Sequence, residues 1–148
     1  LLSPSEQRLW QLFTEIGILD QLGRTAAESA LVSGLSLAQF ALLNHLVRLG
    51  GEWSPVRLAR AFQVTKQTMT STLARLERQG YVQVRPDPAD GRAKLVSITP
   101  EGTAVHSVCL ARVGPAMAVA VDAVPEGLVE MLLPKLVTLR EALDRARG

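Results

Sequence analysis

Apolar side chains recur along this chain with two periods, and the change from one to the other outlines its architecture. Leu9, Leu12, Ile16 and Leu19 fall three and four residues apart, the spacing of one face of an N-terminal helix. A second helix is expected from Ser36, which forms a capping-box pair with Gln39 and is followed by a buried stripe of Phe40, Leu43, Leu46 and Val47. Ser54 and Pro55 open a short third helix with Leu58, Ala59 and Phe62 inward. After a tight connection at Gln63, Val64 and Thr65, a fourth helix runs from about Lys66 to Gln79, capped by Thr65 and stopped by Gly80. Its apolar stripe is Met69, Leu73 and Leu76.

The period then shortens to two. Tyr81 to Arg85 and Lys94 to Ile98 alternate as half-buried strands do. Between them, Pro86 to Ala93 carries two prolines and the turn dipeptide Asp90-Gly91, which predicts a projecting hairpin tip. Helical spacing returns from about Pro100 to Asp122, and again in a last helix striped by Leu128, Leu132, Leu136, Leu139 and Leu143. Gly114-Pro115 and Pro134 are expected to kink or end these helices. Two short helices joined tightly and followed by a hairpin make a winged helix-turn-helix. The expected fold is therefore mainly α with a small β-hairpin wing. Its winged domain spans 34–99, between an N-terminal helical segment (1–33) and C-terminal helices (100–148), whose apolar stripes suit either a core or a helical dimerisation arm.

The outer face of the fourth helix changes the picture from fold to function. An ordinary solvated face favours Glu and Lys in i,i+4 pairs. This one offers hydroxyls, an amide and cations, with Glu77 its only acid. Such groups suit phosphates and base edges. The expected DNA-contacting set is Thr65, Lys66, Gln67, Thr68, Thr70, Ser71 and Arg75 on this helix, with Arg85, Arg92 and Lys94 on the wing. Asp87, Asp90 and Gly91 are expected to shape the wing, with the Asp90 carboxylate orienting Arg92 by a charge-assisted hydrogen bond. An oriented arginine suits a narrow minor groove.

The run VTKQTMTSTLARLERQGYVQVRPDPADGRAKLVSITPEG resembles the core of the multiple antibiotic resistance regulator (MarR) family. The resemblance rests on Leu73, Leu76, Glu77, Gly80, Tyr81 and Val82 at the helix–strand junction, Asp90 and Arg92 at the wing tip, and Thr99 to Gly102 opening the next helix. It implies an obligate homodimer whose chain ends interlock, a near-palindromic double-stranded DNA operator, and a small aromatic or anionic effector bound between arm and DNA-binding lobe. Trp10, His45, Arg48 and Trp53 are the available residues for such a pocket. A winged helix used for protein contact, without sequence-specific DNA binding, is the alternative reading.

Charge distribution bears on the same choice. The net charge of the 148 residues is only +2, yet nine Lys or Arg lie between Arg48 and Lys94 against four acids, a local excess of +5 within a remainder of −3. Concentrated positive charge is the footprint of a phosphate-binding segment. The single cysteine, Cys109, excludes an internal disulfide framework and lies far from the N-terminal position used by peroxide-sensing relatives. His106, three residues before it, is its only possible partner, too few ligands for a zinc site, so no metal and no cofactor are expected. No phosphate loop, G-x-S-x-G or nucleophile–base constellation points to an enzyme. No window of about 18 uninterrupted apolar residues and no signal-peptide pattern is evident, so a cytoplasmic chain without a membrane span is expected.

Overall fold

The computed structural model describes residues 1–147; Gly148, the last residue of the expected C-terminal helices, lies outside the described residues. Six helices and a two-stranded antiparallel sheet follow in the order α1 (Pro4–Glu28), α2 (Leu37–Leu49), α3 (Pro55–Ala61), α4 (Lys66–Arg78), β1 (Val82–Asp87), β2 (Asp90–Ile98), α5 (Pro100–Ala123) and α6 (Leu128–Ala146). This is the mainly helical winged helix-turn-helix class that the two periods point to. The chain divides into two compact units, Leu1–Val113 and a second from Gly114 onward.

Hydroxyl caps set where the first four helices begin. Ser3, Ser36, Ser54 and Thr65 accept from the backbone N–H groups of Glu6, Gln39, Arg57 and Thr68, and the first two complete full capping boxes. Each such cap contributes about 1 kcal/mol. The α3–α4 connection turns at Gln63, whose φ of 55° makes it the one non-glycine residue at positive φ among the described residues. Gly80, at φ 79°, ends the α4 region as expected.

The first unit closes over a core of Leu42, Leu43 and Leu46 from α2, Leu58 and Ala59 from α3, Met69, Leu73 and Leu76 from α4, Val82 and Val96 from the sheet, and Cys109 from α5. One α2 expectation needs correction, since Val47 is exposed, and Leu42, outside the expected stripe, is interior. Phe40 and Phe62 are only partly buried at the edge of this cluster.

The wing is longer and more regular than its prolines suggest. The strands begin at Val82 rather than Tyr81 and extend to Asp87 and Asp90, so the turn centres on Pro88-Ala89, not on Asp90-Gly91. Pro86 is tolerated inside β1 because this is an edge strand. The other edge of β2 is taken by a single bridge in which Trp53 and Val96 exchange backbone hydrogen bonds of 2.9 and 2.8 Å. Val96 also faces Val84 of β1, so β2 runs between β1 and the Trp53 segment. The ladder breaks between Pro86, which faces Lys94, and Asp87, which faces Asp90. Gly91, Arg92 and Ala93 bulge out at that break.

Thr99 ties the end of the α4 region to the start of α5. Its hydroxyl donates to the Gly80 carbonyl at 2.6 Å and accepts from the Gly102 N–H at 3.0 Å, which caps α5. Neither expected interruption ends a helix: Pro115 lies inside α5 and Pro134 inside α6. The boundary between the two units, however, falls directly before Gly114. Although its apolar run is broken by single polar residues, α5 contains an 18-residue window of mean hydropathy 1.5 and is long and apolar enough to cross a membrane by length and composition. Gly102, His106 and Cys109 of this helix are buried, while Leu110, Met117, Val119 and Val121 are exposed in the single chain.

Candidate nucleic-acid interface

Burial of Met69, Leu73 and Leu76 leaves the opposite face of α4 to solvent. Lys66, Gln67, Thr68, Thr70, Ser71 and Arg75 are all exposed there, as is the capping residue Thr65. Thr65 donates its hydroxyl to that of Thr68 at 2.9 Å, and Thr70 donates to the Lys66 carbonyl at 2.9 Å. These hydroxyls keep free lone pairs and can accept from a base amino group. Gln67 and Ser71 make no side-chain hydrogen bond among the described residues.

Helix and wing meet around one open cleft of about 470 Å³. Lys66 and Thr70 line one side, and Arg92 and Lys94 the other, with Glu77 and Asp90 also at its wall. Lys66, Arg75, Arg92 and Lys94 have no acidic partner within 4.0 Å among the described residues. Three of these cations, Lys66, Arg92 and Lys94, line the cleft with the Thr70 hydroxyl, while Arg75 is exposed elsewhere on α4; such groups attract phosphate and can donate to base acceptors.

The wing carboxylates act on backbone, not on the guanidinium. Asp87 accepts from the Ala89 N–H at 2.9 Å, and Asp90 accepts from the Arg92 N–H at 3.0 Å. The expected Asp90–Arg92 side-chain pair does not form, because the Asx turn takes the carboxylate back onto the main chain. Gly91 sits in the bulge without a positive φ.

Arg85 differs from the other cations. Its Nε and Nη2 donate to Glu52 Oε1 and Oε2 at 2.8 and 2.7 Å, a two-pronged ion pair reaching across β2. Glu52 is the partner of Arg85 that sequence reasoning missed. It lies 33 positions away, and no local pattern announces the contact.

Of the residues expected around an effector, His45 and Trp53 come together. His45 packs edge-on against Trp53, with ring centroids 4.6 Å apart, and against Phe62 at 5.2 Å. Arg57 lies over the Trp53 indole at 4.3 Å, and the indole N–H donates to the Gly50 carbonyl at 2.9 Å. Burial holds the His45 imidazole below its ordinary pKa, and the Arg48 charge pushes the same way. Trp10 is exposed on α1 and takes part in no ring contact among the described residues. His106 is buried and turned toward α2, with Nε2 donating to Asn44 Oδ1 at 3.0 Å and its ring stacked on Phe40. No group of three or more potential metal ligands occurs among the described residues.

A family model described as the MarR family matches residues 33–93, the segment holding the helix pair and most of the wing. The chain is 35% identical over 101 residues to the transcriptional activatory protein BadR of Rhodopseudomonas palustris, covering 67% of this chain and 56% of that protein. It thus spans about half the length of the curated relatives it matches. Among solved structures it is similar to the transcriptional regulator BldR from Sulfolobus solfataricus, with a TM-score of 0.81 and 24% identity over 95% of this chain and 99% of that one. A mutant MarR from E. coli complexed with operator DNA gives a TM-score of 0.78 and 25% identity, covering 93% and 99% of the two chains.

Proposed function

Because the chain belongs to the MarR family, we infer that it is a sequence-specific DNA-binding transcriptional regulator working as a homodimer on a near-palindromic operator. The observation that carries this reading is the cleft around which α4 and the wing present the unpaired cations Lys66, Arg92 and Lys94 with the Thr70 hydroxyl. Lys66, Gln67, Thr70, Ser71 and Arg75 read the major groove, and Arg92 enters the minor groove beside it. The relative solved with operator DNA supports the DNA-binding reading.

Dimerisation rests on apolar surface that the single chain leaves uncovered. On α1, Trp10, Ile18, Leu19 and Leu22 are exposed; on α6, Met131, Leu132, Leu133 and Leu136 are exposed. Surface of this kind marks an interaction site. A two-fold axis then places two copies of α4 in successive major grooves, about 34 Å apart. Repression follows where such a dimer occupies a promoter, and a small aromatic or anionic effector that changes the spacing of the two reading helices releases it. The name of the Rhodopseudomonas relative favours activation as the second reading.

The test is a binding titration against the intergenic DNA upstream of the chain's own gene, at two salt concentrations, with random DNA of equal length as control. Selective binding that weakens with salt is expected. Equal, weak binding to both DNAs points instead to a winged helix used for protein contact. In vitro transcription from the bound promoter separates repression from activation.

A further inference from the structure

Arg85 counts toward the positive excess of the reading segment, yet it is the one wing cation whose charge is already spent. Both prongs of its guanidinium are on Glu52, at 2.8 and 2.7 Å, and the two side chains are only 39% and 40% exposed. Lys66, Arg75, Arg92 and Lys94 have no such partner. A phosphate approaching Arg85 would meet the Glu52 carboxylate beside it and would have to displace a fork-on-fork pair.

The pair also has a particular place in the wing. Glu52 immediately precedes Trp53, whose bridge to Val96 is the only strand-type pairing between the α2–α3 connection and the hairpin among the described residues. Arg85 stands on the far strand, facing Leu95. The ion pair therefore spans β2 and ties β1 to the body further toward the tip than its core anchor Val82. It sits on the last regular stretch of ladder before the break at Pro86/Asp87, from which Arg92 bulges. A hairpin anchored at its base by Val82, Val96 and one bridge can still tilt toward its tip; an attachment further out on the other strand opposes that motion.

We propose that Arg85, locked to Glu52, is a positioning residue that fixes the angle at which the wing delivers Arg92 to DNA, and is not itself a phosphate contact. This rests on the DNA-binding reading above. The two roles predict opposite signs at Glu52. If Arg85 holds phosphate, removing the neighbouring acid leaves affinity unchanged or raises it, since a carboxylate near the DNA backbone repels it. If Arg85 positions the wing, Glu52→Gln weakens binding as much as Arg85→Gln, and the double variant is no worse than either.

The experiment uses the full chain and the tightest duplex it selects from a random DNA library, with affinity measured by fluorescence anisotropy. Expected are losses of about fivefold for Glu52→Gln and for Arg85→Gln, the size of one partly exposed ion pair, and no further loss on combining them. Arg92→Ala must also cost less in the Glu52→Gln background than in the wild type, although Arg92 and Glu52 do not touch. A general loss of folding would leave that ratio unchanged, and thermal melting of each variant checks it directly. A loss in Arg85→Gln with wild-type or tighter binding in Glu52→Gln overturns the positioning role and leaves DNA binding standing. If the wild-type chain enriches no duplex at all, the DNA-binding reading fails first and the wing proposal falls with it.

Discussion

Gly102, in the first turn of α5, lies hard against the carbonyl oxygen of Tyr81, with no room for a side chain between them. A Cβ at this position would collide with that oxygen and sit 2.9 Å from Ile98 Cγ1 and 3.0 Å from the Tyr81 carbonyl carbon. Backbone and a β-branched core residue cannot swing aside as a flexible side chain would. Gly102→Ala is therefore expected to cost about 1–3 kcal/mol of stability. Urea unfolding checks it, and a midpoint equal to the wild type would show that α5 shifts freely. The same contact, with the Thr99 cap, fixes the start of α5 to the junction of α4 and β1.

Acid should weaken the fold through its two histidines. Burial lowers the pKa of His45, aided by the Arg48 charge, and burial alone lowers that of His106. The unfolded chain then binds more protons than the folded one, so stability rises with pH across the imidazole range. The contribution is complete above about pH 6.5, the ordinary imidazole value, and is lost as pH falls through the lower folded-state values. Denaturant unfolding above and below that range should show wild-type stability dropping with acid. His45→Phe and His106→Gln should each flatten the drop; an unaltered slope in both would place the acid sensitivity elsewhere.

On DNA, the two cations at opposite ends of the reading surface should behave differently. Arg75→Ala is expected to cost about 1–3 kcal/mol and to relax preference at one base pair, as removal of a guanine contact does. Arg92→Ala should lose most of its affinity at A·T-rich flanks, where the minor groove is narrow. Measured affinities on duplexes varied at the centre or at the flanks distinguish the two patterns. Equal losses on every duplex would reduce both residues to phosphate contacts.

The proposed dimer should come apart at α6. Leu132 and Leu136 occupy one stripe of that helix and are 39% and 38% exposed in the single chain. Burying a charge among apolar partners costs several kcal/mol, so Leu136→Glu should halve the mass seen by sedimentation equilibrium and remove cooperative operator binding. A wild-type chain that sediments as a monomer would sink the two-fold arrangement altogether.

Local signals were enough for most of the fold. Caps at Ser36, Ser54 and Thr65, the stripe Met69-Leu73-Leu76 and the stop at Gly80 each act within a few residues, and all appear as the pattern implies. What failed depends on contacts distant in sequence or on competition within a turn. Pro86 reads as a strand breaker until β1 is known to be an edge, and Asp90 reads as a partner for Arg92 until its own backbone offers a nearer donor. Glu52 carries no pattern at all, because an acid in a loop acquires meaning only when folding brings Arg85 across β2 to meet it. Val47 was misassigned because helical spacing alone does not say how wide a stripe the core will cover.

Cys109 offers the last test, of whether this chain carries a thiol switch. The side chain is 0% exposed, among the core residues of the first unit, and His106 one turn earlier is engaged with Asn44 rather than with the sulfur. A reagent must reach the sulfur to react with it, and the Cys109 side chain is fully enclosed. The thiol should therefore resist a disulfide reagent such as DTNB in the native protein and react at the rate of unfolding once denaturant is added. Cys109→Ser should cost about 1–3 kcal/mol by burying a hydroxyl in apolar surroundings, while leaving DNA affinity unchanged in the protein that remains folded. Rapid native labelling, or DNA release by peroxide that Cys109→Ser abolishes, would show instead that the core opens at this point and that the cysteine senses oxidant.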